Sequence, residues 1–122
     1  MAEKILIDEG RTFVTALKDK GIKLVFAVWY TEPSTQSTTL ALGAKRFDEL
    51  GPSKAYEEIL NVANSLKAKL HFFNADFLKL ISLESELGKV FVNTFSNKKG
   101  DTMIGMFVSP NFIFHQVYAY GL

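Results

Sequence analysis

The chain has no cysteine, which removes disulfides, thiolate nucleophiles and every zinc site built with sulfur ligands. Such a chain suits a reducing compartment, and the cytoplasm is the expected location. An excess of charge is also missing. Lys and Arg number 14 and Asp and Glu 13, for a net charge of +1, so there is no long-range field to draw in nucleic acid. The same balance leaves little repulsion between copies of the chain. No window approaches the roughly 20 apolar residues that a membrane-spanning helix needs, so no membrane partner is expected. The opening "MAEKILIDEGR" is interrupted by Asp8, Glu9 and Arg11 and lacks the pattern of a signal peptide. Neither a G-x-x-x-x-G-K-[ST] phosphate loop, a G-x-G-x-x-G fingerprint nor a G-x-S-x-G elbow occurs, so no cofactor is expected and common nucleotide or serine-hydrolase chemistry has no support.

What is present is apolar material. Of 122 residues, 48% are hydrophobic and eleven are Phe, enough for one domain over residues 1–122 with a real core. From Lys4 to Lys20, Leu6, Gly10, Phe13, Val14 and Leu17 recur at three- and four-residue spacing and predict a helix that "KDKG" ends. A hairpin turning at Glu9-Gly10 competes for residues 4–17. "IKLVFAVWYT" and "TTLALGAK" read as two antiparallel strands, separated by "TEPSTQSTT", whose Pro and hydroxyl residues have loop chemistry. "GPSKAYEEILNVANSLKAK" is a helix with Pro52 at a first helical position and a stripe of Tyr56, Ile59, Leu60, Ala63 and Leu66. "KLHFF" reads as a short strand, and Asn74 as the N-cap of a helix running to Gly88. "KVFVNTF", "TMIGMFVS" and "FIFHQVYAY" then read as three strands of a meander.

These elements predict an α+β domain in the order α-β-β-α-β-α-β-β-β, with a mainly antiparallel sheet of five to six strands and about three helices. In element order it resembles the profilin-like arrangement of PAS, GAF and roadblock-type modules. That resemblance implies a sensor, a dimerisation unit or a protein-binding platform, and assigns no residue.

Candidate site residues fall into three groups. His71 and His115 are the weak catalytic candidates. With a carboxylate such as Asp76 or Glu32, either could act in acid-base chemistry on a small polar or phosphorylated substrate. Both are flanked by core residues, which reads more simply as structural, and no metal site is expected. Trp29, Tyr30, Thr31 and Tyr56 are candidates for ligand contact in a shallow pocket under the Val25–Leu42 hairpin, since they join apolar bodies to polar handles. Trp29 reads more simply as core of the central strand. Lys98 and Lys99 in "SNKKGD" could meet a phosphate, although a charged turn also keeps an edge soluble. The pairs Asp8/Glu9, Glu57/Glu58 and Glu84/Glu86 read as solvated helix faces.

Alternation along the last strand puts Phe112, Phe114, Gln116, Tyr118 and Tyr120 on one face and Ile113, His115, Val117 and Ala119 on the other. Apolar weight on both faces, with no further helix after it in the sequence, predicts either burial under the first helix or self-association as a dimer through the C-terminal sheet. The expected function is a non-enzymatic binding or regulatory module with a protein or small-molecule partner. A small enzyme and a purely structural assembly protein are the alternatives.

Overall fold

The computed structural model describes residues 3–96 and 98–122. In chain order it contains α1 (Lys4–Asp19), β1 (Phe26–Thr31), β2 (Thr38–Gly43), α2 (Lys45–Leu50), α3 (Pro52–Ser65), a 3-10 turn (Ala75–Phe77), β3 (Leu78–Leu80), α4 (Glu86–Phe95), β4 (Thr102–Ser109) and β5 (Phe112–Ala119). The strands form one mixed sheet in the order β3-β2-β1-β5-β4. Only the β2–β3 pairing is parallel. This is the α+β class expected, with four helices rather than about three. No helix among the described residues is long and apolar enough to cross a membrane.

Residues 4–19 form the helix and not the competing hairpin, because Ile7, Gly10, Phe13, Val14 and Leu17 make one buried stripe. Gly21 ends it with φ of 85°. Its N–H donates to the Lys18 carbonyl and that of Ile22 to the Leu17 carbonyl, the paired closure that a left-handed glycine permits. α1 and α3 cover one face of the sheet, where Phe13, Leu17, Ala55 and Ile59 pack with Trp29, Leu40 and Leu42. α4 covers the other face, where Phe91 and Phe95 pack with Phe26, Tyr30 and Phe114.

Three sequence readings are corrected. "KLHFF" is not a strand; residues 71–74 are irregular, and the amides of His71, Phe72 and Phe73 go to a side chain instead of a ladder. The helix expected from Asn74 to Gly88 shrinks to the 3-10 turn. Asn74 does cap it, accepting from the Asp76 N–H at 2.9 Å, but Leu78 to Leu80 then complete the free edge of β2 as β3. A local preference of leucine for helix lost to amides already waiting on a strand edge. "KVFVNTF" is helical, within α4. Ser85 caps it by accepting from the Gly88 N–H at 3.0 Å, and Leu87, Phe91 and Phe95 recur every four residues onto the sheet. The Val-Phe alternation that read as a strand was the weaker signal.

A further correction concerns β5. Gln116 has φ of 52°, and three residues of β1, from Trp29 to Thr31, are matched by four of β5, from Tyr118 to His115. This bulge exchanges the faces midway along the strand. Phe112 and Phe114 share the α4 face with Val117 and Ala119, whereas Tyr118 and Tyr120 face α1. His115 pairs with Thr31, on the Trp29 side. A left-handed conformation costs a non-glycine residue about 1–2 kcal/mol, while glycine in a strand costs about 0.5–1 kcal/mol. Gln116→Gly is therefore expected to be neutral or to stabilise by up to about 1 kcal/mol, and Gln116→Val to destabilise by about 1–2 kcal/mol. Urea midpoints at constant m-value would check both, and a Gly variant weaker than the Val variant would contradict the bulge.

Candidate functional site

The two C-terminal strands are joined by a tight Pro110-Asn111 turn and paired along their length, Ser109 opposite Phe112 and Thr102 opposite Ala119. Their face toward α4 is filled by aromatic packing. Phe107 lies with Phe91, Phe95 and Phe114 at ring separations of 6.1–6.4 Å. On the opposite face the bulge has placed Met103, Met106 and Val108 of β4 beside Tyr118, His115 and Ile113 of β5. Among the described residues nothing covers this half of the sheet. Met103 is 59% exposed, Met106 57%, Val108 64% and Ile113 54%. Single exposed apolar residues are ordinary, but four on adjacent positions of two paired strands form a patch that water penalises. His115, half-buried, sits within it.

The patch begins where α1 stops covering the sheet, and three groups of polar contacts, centred on Tyr120, Asp101 and Glu9, hold that boundary. The Trp29 Nε1–H donates to Tyr120 Oη at 2.7 Å, and Tyr120 Oη donates to the Ile7 carbonyl at 2.6 Å. Arg11 lies 5.1 Å from the Tyr120 ring centroid and donates to Asp101 Oδ2, which also accepts from the Tyr118 hydroxyl, both at 2.5 Å. Asp101 Oδ1 takes the Gly121 N–H at 2.8 Å. The Arg11 hydrogen bond outweighs partial burial and holds the Asp101 carboxyl down at about 2. Finally, Glu9 is 6% exposed, and its Oε1 accepts from His71, Phe72 and Phe73 N–H at 2.9 Å each. Burial would raise its pKa; the three amides reverse that, and the net direction is down. The last strand thus divides: its Tyr118–Tyr120 end lies under the first helix, and its Ile113–His115 end is open.

The other sequence candidates are scattered. Trp29 and Tyr30 are buried on opposite faces of β1, so they cannot line one pocket. The indole N–H of Trp29 is consumed by Tyr120, and burial pushes the Tyr30 hydroxyl up to about 12. Thr31 is buried with its Oγ1 3.3 Å from that of Thr38. Tyr56 is half-buried on α3, its hydroxyl accepting from the Leu80 N–H at 3.3 Å, and it borders a cleft of about 290 Å³ with Phe47, Leu80 and Ile81. The ligand pocket expected from these four residues together is not formed. Residues 32–37 bond mainly to themselves. Gln36 N–H donates to the Glu32 carbonyl and its side-chain amide to the Pro33 carbonyl, while Ser37 N–H donates to Thr35 Oγ1.

His71 lies in the irregular segment whose amides hold Glu9, and His115 lies on β5. Among the described residues, neither lines a principal surface cleft, and no group of three or more potential metal ligands occurs. Asp76 is exposed in the 3-10 turn, and Glu32 opens the hairpin tip. Lys98 and Lys99 are exposed between α4 and β4; Asn97 of the same tract lies outside the described residues, as do Met1 and Ala2 at the opening of the chain. A cleft of about 480 Å³ is lined by Lys18, Ile22, Leu24, Val25, Ser96 and Leu122, and none of the candidate residues lines it.

Sequence reasoning missed Glu9, which stood among carboxylates assigned to solvent. The available signal was its position one residue before Gly10 on the helix stripe. It also missed the grouping of Met103, Met106, Val108 and Ile113, because a regular alternation hides a bulge. No family model, curated protein or solved structure matches the chain.

Proposed function

We propose that this chain is a non-enzymatic binding module of the cytoplasm that self-associates through the open face of β4 and β5. The observation that carries the reading is the cluster of Met103, Met106, Val108 and Ile113, each more than half exposed on one continuous face. Removing apolar surface from water is favourable by about 25 cal/mol per Å², and four neighbouring apolar side chains would contribute to it together. Methionine is unbranched and polarisable and adapts to a partner's shape. The near-zero net charge favours a partner that is itself uncharged on this face, a condition that a copy of the chain meets.

The expected result is a mass twice that of one chain by light scattering at tens of micromolar. Met106→Lys should return it to one chain, with unchanged far-ultraviolet circular dichroism and at least a tenfold weaker association, since a charge would have to be buried against apolar side chains. A wild-type mass of one chain throughout this range overturns the proposal. So does a dimer indifferent to Met106→Lys and Ile113→Lys together.

A further inference from the structure

We infer that the two copies join edge to edge, β4 against β4 in antiparallel pairing, so that the sheet continues across a two-fold axis. The inference rests on the self-association proposed above and specifies its geometry. β4 is the outermost strand on its side of the sheet and is eight residues long, whereas the opposite edge, β3, has three. At about 3.4 Å per residue it presents roughly 27 Å of edge paired on one side only. Natural edges are protected by lysines, prolines or a covering element. Residues 102–109 include no charged residue and no proline, and their apolar side chains Met103, Met106 and Val108 are exposed.

The charges at the two ends of β4 select a second copy as the occupant. Lys98 and Lys99 stand exposed before its first residue. Asp101, the carboxylate at that end, is taken by Arg11 and Tyr118. At the other end, Asn111 in the turn after β4 donates through its side-chain amide to Glu86, which is exposed at the start of α4. An antiparallel copy brings the start of each strand beside the end of the other, so the lysines of one chain meet Glu86 of its copy, twice by symmetry. A parallel copy would set lysine against lysine. In the antiparallel arrangement Met103, Met106 and Val108 of one β4 also lie beside the same side chains of its copy, so that their flanks are removed from water across the seam.

The absence of cysteine allows single spin labels to be read without background. Gly105→Cys places a label in mid-β4, where a side chain enters open space, and Lys79→Cys places one on exposed β3. Edge pairing predicts a distance between labels below about 20 Å at position 105, with adjacent strands about 4.8 Å apart. At position 79 it predicts about 40 Å, nine strand spacings across ten strands. A dimer with the reverse pattern overturns edge pairing while self-association stands; no dipolar coupling together with a one-chain mass overturns self-association itself. An independent measurement is a charge exchange. Glu86→Lys should weaken the dimer about three- to tenfold, and adding Lys98→Glu and Lys99→Glu should restore it. Failure of the exchanged triple variant to recover affinity counts against the antiparallel register.

Discussion

Replacing Glu9 by alanine is expected to cost about 3 kcal/mol of folding stability, measured as a lowered urea midpoint at pH 7. A single carboxylate oxygen takes three backbone N–H groups at 2.9 Å each, from His71, Phe72 and Phe73. Hydrogen bonds to a charged group contribute about 1.5–3 kcal/mol, and a buried donor left without a partner costs about 1–3 kcal/mol. The segment is short of alternatives, because Phe73 is packed between Phe13, Trp29 and Phe77 and cannot swing out to water without vacating the core. Glu9→Gln keeps an acceptor oxygen and loses the charge, so its cost is expected near half that of alanine.

The pH dependence separates charge from shape. The folded pKa of Glu9 lies below its ordinary value of 4.5, because the amides outweigh the burial that opposes them. Its stabilisation is therefore fully present above that ordinary value and is lost as pH falls through the folded pKa. Asp101, ordinarily 3.8 and held down at about 2 by Arg11, acts in the same direction over the window between those values. Wild type should lose stability steadily below pH 4.5, whereas Glu9→Gln loses less, so the two midpoints converge in acid. A difference between them that stays constant from pH 7 to pH 3 would show that the charge of Glu9 does not stabilise the fold.

The second large effect is expected at Gly10. On an exposed helix, glycine to alanine gains about 1 kcal/mol. Here a Cβ would lie 2.5 Å from Tyr120 Oη and 3.1 Å from both Trp29 Cζ2 and Nε1. The hydroxyl cannot yield cheaply, since it accepts from Trp29 and donates to the Ile7 carbonyl. Overpacking costs about 1–3 kcal/mol, and disturbing the two buried hydrogen bonds adds to it. The net expectation for Gly10→Ala is a loss of about 2 kcal/mol, the reverse of the helix-propensity sign. Tyr120→Phe removes the clashing oxygen along with its bonds, so the double variant should cost less than the sum of the singles by thermal or urea unfolding. Additive costs, or a stabilised Gly10→Ala, would refute the close approach of α1 to the sheet.

The elements legible in the sequence are those whose apolar period matches their own backbone. α1 and α3 carry stripes at helical spacing, β1 and β2 are apolar runs around a Pro- and hydroxyl-rich turn, and β4 and β5 flank Pro110-Asn111. Leu78–Leu80 and Lys89–Phe95 were misread in opposite senses. Short Leu-rich and Val/Phe-rich segments satisfy either period, and the arbitrating facts were the free edge of β2 and the Ser85 cap. Among site candidates, the sequence could mark Trp29 and Tyr30 as aromatics with polar handles. Alternation along a strand already sets these two neighbours on opposite faces; it could not say that both layers are filled, by α1 and α3 on one side and α4 on the other.

By itself, then, the order of residues determined the class of fold, the absence of thiol chemistry and the apolar stock of the last two strands, because composition and local period are properties of the chain alone. Tertiary structure decided where that stock became exposed. One left-handed residue, Gln116, exchanged the faces of β5, and α1 was held by Glu9, Gly10 and Arg11 over Tyr118 and Tyr120 only. Contacts between residues some 60 to 110 positions apart set that boundary, and no local pattern encodes them.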